Sequence, residues 1–136
     1  MIKKISHIGI AVNNLDSAKN KFAQLLNSQS SVNEIVESEK VEVSFFKIGE
    51  SRLELLKAIS EDSSIEKFIS KRGEGINHIC LDVTDIEKEI ERLTSLGFEF
   101  INKVPIVGAH NCKIVFIHPK SANGVLIELS EKINEI

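Results

Sequence analysis

The chain has 136 residues, which suffices for about one domain with a single hydrophobic core. Apolar residues make up 42% and charged residues 27%, a balance that excludes disordered and fibrous proteins, and the net charge of −3 disfavours nucleic acid as a partner. No stretch approaches the roughly 20 apolar residues of a membrane span and the first residues do not form a signal peptide, so we expect a cytoplasmic protein or a mature organellar form.

The first half of the chain predicts one helix among several strands. Residues 6–12 alternate in polarity as a strand does, and Asn14 stands where a helix N-cap belongs. Apolar residues then recur at helical spacing, at Leu15, Ala18, Phe22, Leu25 and Leu26. Three strand candidates follow, of which 41–48 and 52–57 are the best defined, and a turn joins these two.

The second half repeats this order after a short helix predicted over Ser64–Arg72. A strand leads to an N-cap at Asp85 and a helix that stops before Gly97, and the best-defined strands after it are 113–118 and 125–130. The sequence therefore predicts an α+β fold of two tandem βαβββ modules. Module 1 covers about residues 4–57 and module 2 about residues 75–130, and we expect them to pack as one domain, 1–136.

The two halves also share a motif. Residues 6–16 and 77–87 both read polar-His-Ile-x-aliphatic-x-Val-polar-polar-aliphatic-acid, so that His78 follows His7 by 71 positions (78 − 7). Later in each half one carboxylate lies between apolar neighbours, Glu54 in the first and Glu128 in the second. The His-to-Glu separations are 47 (54 − 7) and 50 (128 − 78), which means that the two pairs occupy matching positions.

Strand alternation places these polar groups on the face opposite the helices, because their apolar neighbours face the helices. A carboxylate inside an apolar strand is costly to bury unless something pairs with it. Imidazole and carboxylate suit a borderline or hard divalent ion. The repeat therefore predicts one N2O2 metal site, with positions open to water or substrate, whose ligands are His7, Glu54, His78 and Glu128.

Four stretches carry a family resemblance, of which the last two are the most specific: residues 7–12 (HIGIAV), 53–56 (LELL), 64–78 (SIEKFISKRGEGINH) and 118–129 (HPKSANGVLIEL). Through them the chain resembles the vicinal oxygen chelate superfamily, to which glyoxalases and bleomycin resistance proteins belong, and within it the methylmalonyl-CoA epimerases. Members of this superfamily form a curved mixed sheet from paired βαβββ modules around a His/Glu metal site. The resemblance covers nearly the whole chain.

The resemblance implies an isomerase that moves a proton at C2 of an acyl-CoA through an enolate. It places the metal ligands on the same four residues and one catalytic carboxylate at Glu128. It also implies one divalent ion per chain, which is Co, Mn, Ni or Zn, and a homodimer.

The second proton carrier is not fixed by the resemblance. Some epimerases have a Glu on the strand that matches 41–48, where direct alignment places Val43, with Glu42 one residue before it. Glu42 is therefore the candidate if the register slips by one residue, and Glu54 or a metal-bound water is the alternative. Lys120 and Ser121, in the loop before the last strand, are expected to contact the carboxylate or the CoA part of the substrate.

Two departures from the epimerase pattern concern residues beside the predicted ligands. Asn77 stands where a second His commonly precedes the ligand His, and His110-Asn111 replace a Gly-Gly pair. Neither change removes a ligand. Two alternatives remain open at this point: glyoxalase I, which uses a comparable His/Glu set, and a metal-free binding protein of the same fold, such as one that sequesters an antibiotic.

Overall fold

The computed structural model describes residues 1–133, and the last three residues of the predicted domain lie outside the described part. The chain divides into two compact units. The N-terminal unit is His7–Asn77, and the C-terminal unit combines Met1–Ser6 with the residues from His78 onward. The first strand, β1 (Ile2–Ala11), contributes its beginning to the C-terminal unit and its end to the N-terminal unit.

The N-terminal unit is a mixed sheet with one helix packed on it. Its strands lie in the order β2-β3-β4-β1, with β1 parallel to β4 and the other neighbours antiparallel. The remaining elements are α1 (Leu15–Leu26), β2 (Glu34–Val36), β3 (Val41–Ile48), β4 (Ser51–Ala58) and α2 (Ser64–Arg72).

Helix α1 begins at a side-chain cap and packs through one face. The Asn14 side chain accepts a hydrogen bond of 2.9 Å from the backbone N–H of Ser17, which satisfies one of the N–H groups at the helix start. Leu15 then packs against Phe46 and Leu55 of the sheet. At 12 residues α1 is the longest described helix, and no helix within residues 1–133 is long and apolar enough to cross a membrane.

The C-terminal unit repeats the arrangement. Its strands lie in the order β1-β5-β8-β7-β6, with β5 parallel to β8 and both β7–β8 and β6–β7 antiparallel. Its helix packs its apolar side on β7 and β8, where Ile86, Ile90 and Leu93 meet Val115 and Leu129. The elements are β5 (Gly75–Val83), α3 (Ile86–Ser95), β6 (Ile106–Val107), β7 (Cys112–Ile117) and β8 (Ile127–Lys132).

The predicted α+β fold of two tandem βαβββ modules is confirmed. Helix α2 has its predicted bounds, and Asp85 caps α3 by accepting a 3.1 Å bond from the N–H of Lys88. The last strand starts two residues later than predicted. The reason is that Val125 donates its N–H to the carbonyl of Ala122, a bond that keeps Val125 in the preceding turn.

One buried acid in α3 makes stability depend on pH. Glu89 is 5% exposed, and Arg92 donates a 2.8 Å bond to it, which holds the pKa of Glu89 below its usual 4.5. A carboxyl whose pKa falls on folding stabilises the fold above its unfolded pKa, and that contribution disappears as the pH falls through the folded pKa.

We expect Glu89→Gln to lower the Tm at neutral pH, with the difference from the unmodified protein shrinking below pH 4.5. Thermal unfolding at several pH values measures this. Glu91→Gln, at an exposed position of the same helix, should change neither the Tm at neutral pH nor its dependence on pH.

Candidate metal-binding and proton-transfer site

The first His–Glu pair lies within the N-terminal unit. In the parallel register of β1 and β4, His7 is opposite Arg52 and Gly9 is opposite Glu54, so the three side chains share one face. His7 Nδ1 is 3.4 Å from Glu54 Oε2. His7 is 7% and Glu54 2% exposed, which leaves the carboxylate almost fully removed from water. The other face of these strands packs against α1.

Arg52 completes this pair and was not singled out by the sequence analysis. Its Nε and Nη2 donate to the same Glu54 oxygen, Oε2, at 3.1 and 3.0 Å, and Nη2 is also 3.4 Å from His7 Nδ1. The guanidinium lies 5.4 Å from the centre of the Phe45 ring. Two-residue spacing on β4 puts Arg52 and Glu54 on one face, and that shared face is the signal that could have drawn attention to Arg52.

The second pair lies within the C-terminal unit and is closer. His78 Nε2 is 3.0 Å from Glu128 Oε1, and both residues are 5% exposed. The parallel register of β5 and β8 sets Cys80 opposite Glu128, while β7 sets Phe116 opposite Glu128 on the other side. The Phe116 ring meets the His78 ring edge to face, with 6.0 Å between the ring centres. These contacts fix both polar side chains on the face of the sheet opposite the one that packs against α3.

The spacing within each pair fits two ligands of one divalent ion. Two ligand atoms at about 2.1 Å from an ion lie about 3.0 Å apart at a right angle and about 3.4 Å apart at the tetrahedral angle. The two observed separations are 3.0 and 3.4 Å. An imidazole nitrogen with a carboxylate oxygen is a donor set that Co, Mn, Ni and Zn all accept. Each pair is therefore suited to bind a metal.

Glu42 lies on the other face of the sheet from Glu54. In the β3–β4 register Phe45 is opposite Glu54 and Glu42 is opposite Lys57, so strand alternation puts Glu42 on the face of α1. Its carboxylate accepts a 3.2 Å bond from the Asn33 side chain. The one-residue slip that would bring Glu42 to the Glu54 face is absent, and it is Val43 that occupies that face. The structure therefore does not bring Glu42 to the predicted ligands of its unit.

Lys120 and Ser121 line an open cavity of about 440 Å³ in the C-terminal unit. They lie in a 3₁₀ turn, Pro119–Ser121. The Glu99 N–H donates a 2.9 Å hydrogen bond to Ser121 Oγ and so connects this turn to Glu99. Lys120 forms an ion pair with Glu99, and its hydrogen bond holds the pKa of that carboxyl below its usual value. The loop thus presents one cation beside a cavity, with an exposed carboxylate as its present partner.

The pair His110-Asn111 has the backbone conformation that glycine favours. Their φ angles are 60° and 54°, in the left-handed region that side chains with a Cβ disfavour. This explains on physical grounds why the epimerase pattern has two glycines there. The chain keeps the turn without them, and at His110, two residues before β7 begins, an imidazole-bearing side chain replaces the hydrogen atom of glycine.

The chain is similar to known proteins over most of its length. Residues 6–116 match the family model described as Glyoxalase/Bleomycin resistance protein/Dioxygenase superfamily. The mitochondrial methylmalonyl-CoA epimerase of Dictyostelium discoideum is 37% identical over 134 residues, which cover 96% of this chain and 80% of that protein.

Solved structures show the same similarity. A crystal structure of methylmalonyl-CoA epimerase from Mycobacterium tuberculosis has a TM-score of 0.92 and 32% identity, with 98% of this chain and 90% of that chain covered. A methylmalonyl-CoA epimerase solved in complex with methylmalonyl-CoA and NH4+ has a TM-score of 0.92 and 30% identity, with 97% and 96% covered.

Proposed function

The chain belongs to the Glyoxalase/Bleomycin resistance protein/Dioxygenase superfamily, and we propose that it is an epimerase that interconverts (R)- and (S)-methylmalonyl-CoA. The observation that carries this proposal is the buried His78–Glu128 pair, in a chain at least 30% identical over nearly its full length to proteins named methylmalonyl-CoA epimerase. A carboxylate that is 5% exposed beside an imidazole is suited to move a proton in a site shielded from water.

The reaction requires stabilisation of a carbanion. The hydrogen that moves is bonded to a carbon between a thioester and a carboxylate, and its removal puts negative charge on the thioester oxygen. A bound divalent ion would supply Lewis-acid stabilisation of that charge. The chain's own contribution is to bind the ion, to move the proton and to keep water from the site.

We assign the metal to both His–Glu pairs. His7 and Glu54 offer one nitrogen and one oxygen in the N-terminal unit, and His78 and Glu128 offer the same in the C-terminal unit. That all four bind one ion is a prediction from the sequence repeat. Elemental analysis tests it, because one shared ion requires one metal per chain and its loss when either His is replaced.

Glu128 is the residue to which we assign proton transfer. It is the second residue of β8 and is paired on both sides, with Cys80 of β5 and with Phe116 of β7, so its side chain has little freedom to leave the site face. Inversion at carbon needs a proton to leave one face and another to arrive at the opposite face. Glu128 serves one of these faces.

Lys120 and Ser121 are proposed to contact the substrate. The support is a positive charge and a hydroxyl beside an open cavity of about 440 Å³. An anionic group of the substrate would take the place that Glu99 now has beside Lys120. A charge-assisted bond from an ammonium to a carboxylate or phosphate is the interaction that such a cation offers.

One experiment tests the proposed reaction directly. The purified protein, loaded with Co²⁺, is incubated with one epimer of methylmalonyl-CoA in deuterated buffer. We expect both epimers to appear and deuterium to enter at C2, as mass spectrometry and NMR measure. A parallel assay with the hemithioacetal of methylglyoxal and glutathione tests the glyoxalase I alternative. Turnover there without exchange at C2 of methylmalonyl-CoA would refute the proposal.

The placement of Glu42 gives a further prediction. Because its side chain lies on the helix side of β3 and bonds to Asn33, we expect Glu42→Gln to retain close to the unmodified rate of epimerisation. The rate is measured with metal content held equal. A loss of about 10²-fold or more would show that Glu42 carries the second proton after all.

A further inference from the structure

We infer that Arg52 is a positioning residue: it holds the Glu54 carboxylate in the orientation in which that carboxylate binds a metal ion. The inference rests on the metal site of the proposed function. It adds a residue that neither the superfamily match nor the sequence repeat assigns.

The first support is the geometry of the contact. Two of the three guanidinium nitrogens, Nε and Nη2, donate to a single carboxylate oxygen, Oε2, at 3.1 and 3.0 Å. A carboxylate accepts through two oxygens with about four lone-pair directions. The same Oε2 lies 3.4 Å from His7 Nδ1, so Arg52 fixes the plane of the carboxylate and the position of the oxygen that faces the imidazole. A metal ligand needs that arrangement, because an ion must find an oxygen that is already in place.

The second support is that Arg52 is itself held in place. Its side chain is 24% exposed, compared with 3% for the side chain of Glu54, so the contact is largely removed from water. The guanidinium lies over the Phe45 ring, and Phe45 is the residue opposite Glu54 in the β3–β4 register. An ion pair between mobile surface side chains contributes little. Here the strand pairing and an aromatic ring restrict the cation.

The positive charge of Arg52 makes the positioning role distinguishable from a purely electrostatic effect on metal affinity. A permanent cation beside a metal site repels a divalent ion, so by Coulomb interaction alone its removal should tighten metal binding. A buried carboxylate that loses its two bonds to Arg52, by contrast, is no longer held in its plane and turns away from its ligand position. Loss of the groups that orient metal ligands typically weakens affinity by about 10- to 100-fold. The two effects have opposite signs, so the direction of the change identifies the role of Arg52.

The test is a titration of the full-length protein with Co²⁺ alone, followed by calorimetry and by the visible absorption of the bound ion. We expect Arg52→Gln to raise the Kd for Co²⁺ by about 10- to 100-fold. Arg52→Lys, which keeps the charge but offers a single nitrogen, should recover part of the affinity and shift the Co²⁺ spectrum relative to the unmodified protein. Circular dichroism checks that each variant is folded.

Lys47→Gln is the matched control. Lys47 is exposed, and it lies directly opposite Arg52 in the β3–β4 register, so this change removes a positive charge one strand away from the same place. We expect its Kd to stay within about 2-fold of the unmodified value, or to fall slightly as charge repulsion decreases.

The outcomes separate the positioning role from the metal site itself. If the unmodified protein binds Co²⁺ and Arg52→Gln binds it equally or more tightly, Arg52 does not position Glu54, while the metal site stands. If Arg52→Gln does not fold, an unchanged Kd and spectrum in Arg52→Lys overturn the inference equally. Failure of the unmodified protein to bind Co²⁺ would overturn both the metal site and the role of Arg52.

Discussion

Glu128→Gln is expected to lower the rate of epimerisation by about 10²- to 10⁴-fold while the protein keeps most of its metal affinity. The amide keeps a neutral oxygen where the carboxylate has Oε1, 3.0 Å from His78 Nε2, so a donor atom for the metal remains. What the amide lacks is basicity, since it does not accept a proton near neutral pH. The side chain is nearly isosteric, and the packing of Phe116, its opposite residue on β7, should not change.

The measurements are deuterium exchange at C2 and metal content on the same preparation. Glu128→Asp is the matched variant, because it keeps the carboxylate and shortens its reach by one methylene, and it should retain more activity than the amide. If Glu128→Gln epimerises at the unmodified rate with metal bound, Glu128 is not the proton carrier. If metal and activity are lost together, its role is that of a ligand.

His78→Ala is expected to lower metal content and epimerisation together. His78 is 5% exposed and contributes a ring nitrogen beside Glu128, so its removal takes away one ligand and leaves the carboxylate buried without the imidazole. The Phe116 ring also loses its edge-to-face partner. For this reason His78→Asn, which keeps a polar side chain, accompanies the alanine variant as a check on folding.

His118→Ala is the control for metal content. His118 is exposed, lies in the same unit and accepts a backbone hydrogen bond from Lys120 through Nδ1. Its replacement should leave the metal content unchanged. Full metal occupancy in a folded His78→Ala protein, measured by elemental analysis, would remove His78 from the ligand set.

Much of the fold was predictable because strand alternation and helix periodicity are local properties of the chain. Phe45 and Phe46 adjoin on one strand, so one of them had to face the core; the structure buries Phe46 completely and turns Phe45 to Glu54. The same alternation placed His7 and Glu54 on one face. The period of two predicts that one Phe faces the core and that His7 and Glu54 point away from their apolar neighbours, whereas the register decides which Phe is buried.

What the sequence did not provide depends on register and on side-chain direction. Glu42 and Val43 differ by one position, and the pairing of β3 with β4 decides which of them shares a face with Glu54. The bond from Arg52 to Glu54 needs a particular conformation of two long side chains, on which composition and spacing are silent. The homodimer, the single domain and the shared metal ion remain predictions from the repeat and the resemblance.

The division of β1 between the two units has a consequence for the order of folding. The N-terminal unit is continuous, His7–Asn77, so all its contacts join residues that are synthesised close together in time. The C-terminal unit needs residues from both ends of the sequence: the Thr84 N–H donates to the carbonyl of Met1, and Lys4 pairs with Asp82. Closing so long a loop costs chain entropy before the contacts that stabilise it form. During synthesis on the ribosome, residues 1–6 can therefore form these contacts only after about half of the chain has been made. The second His–Glu pair is completed later than the first.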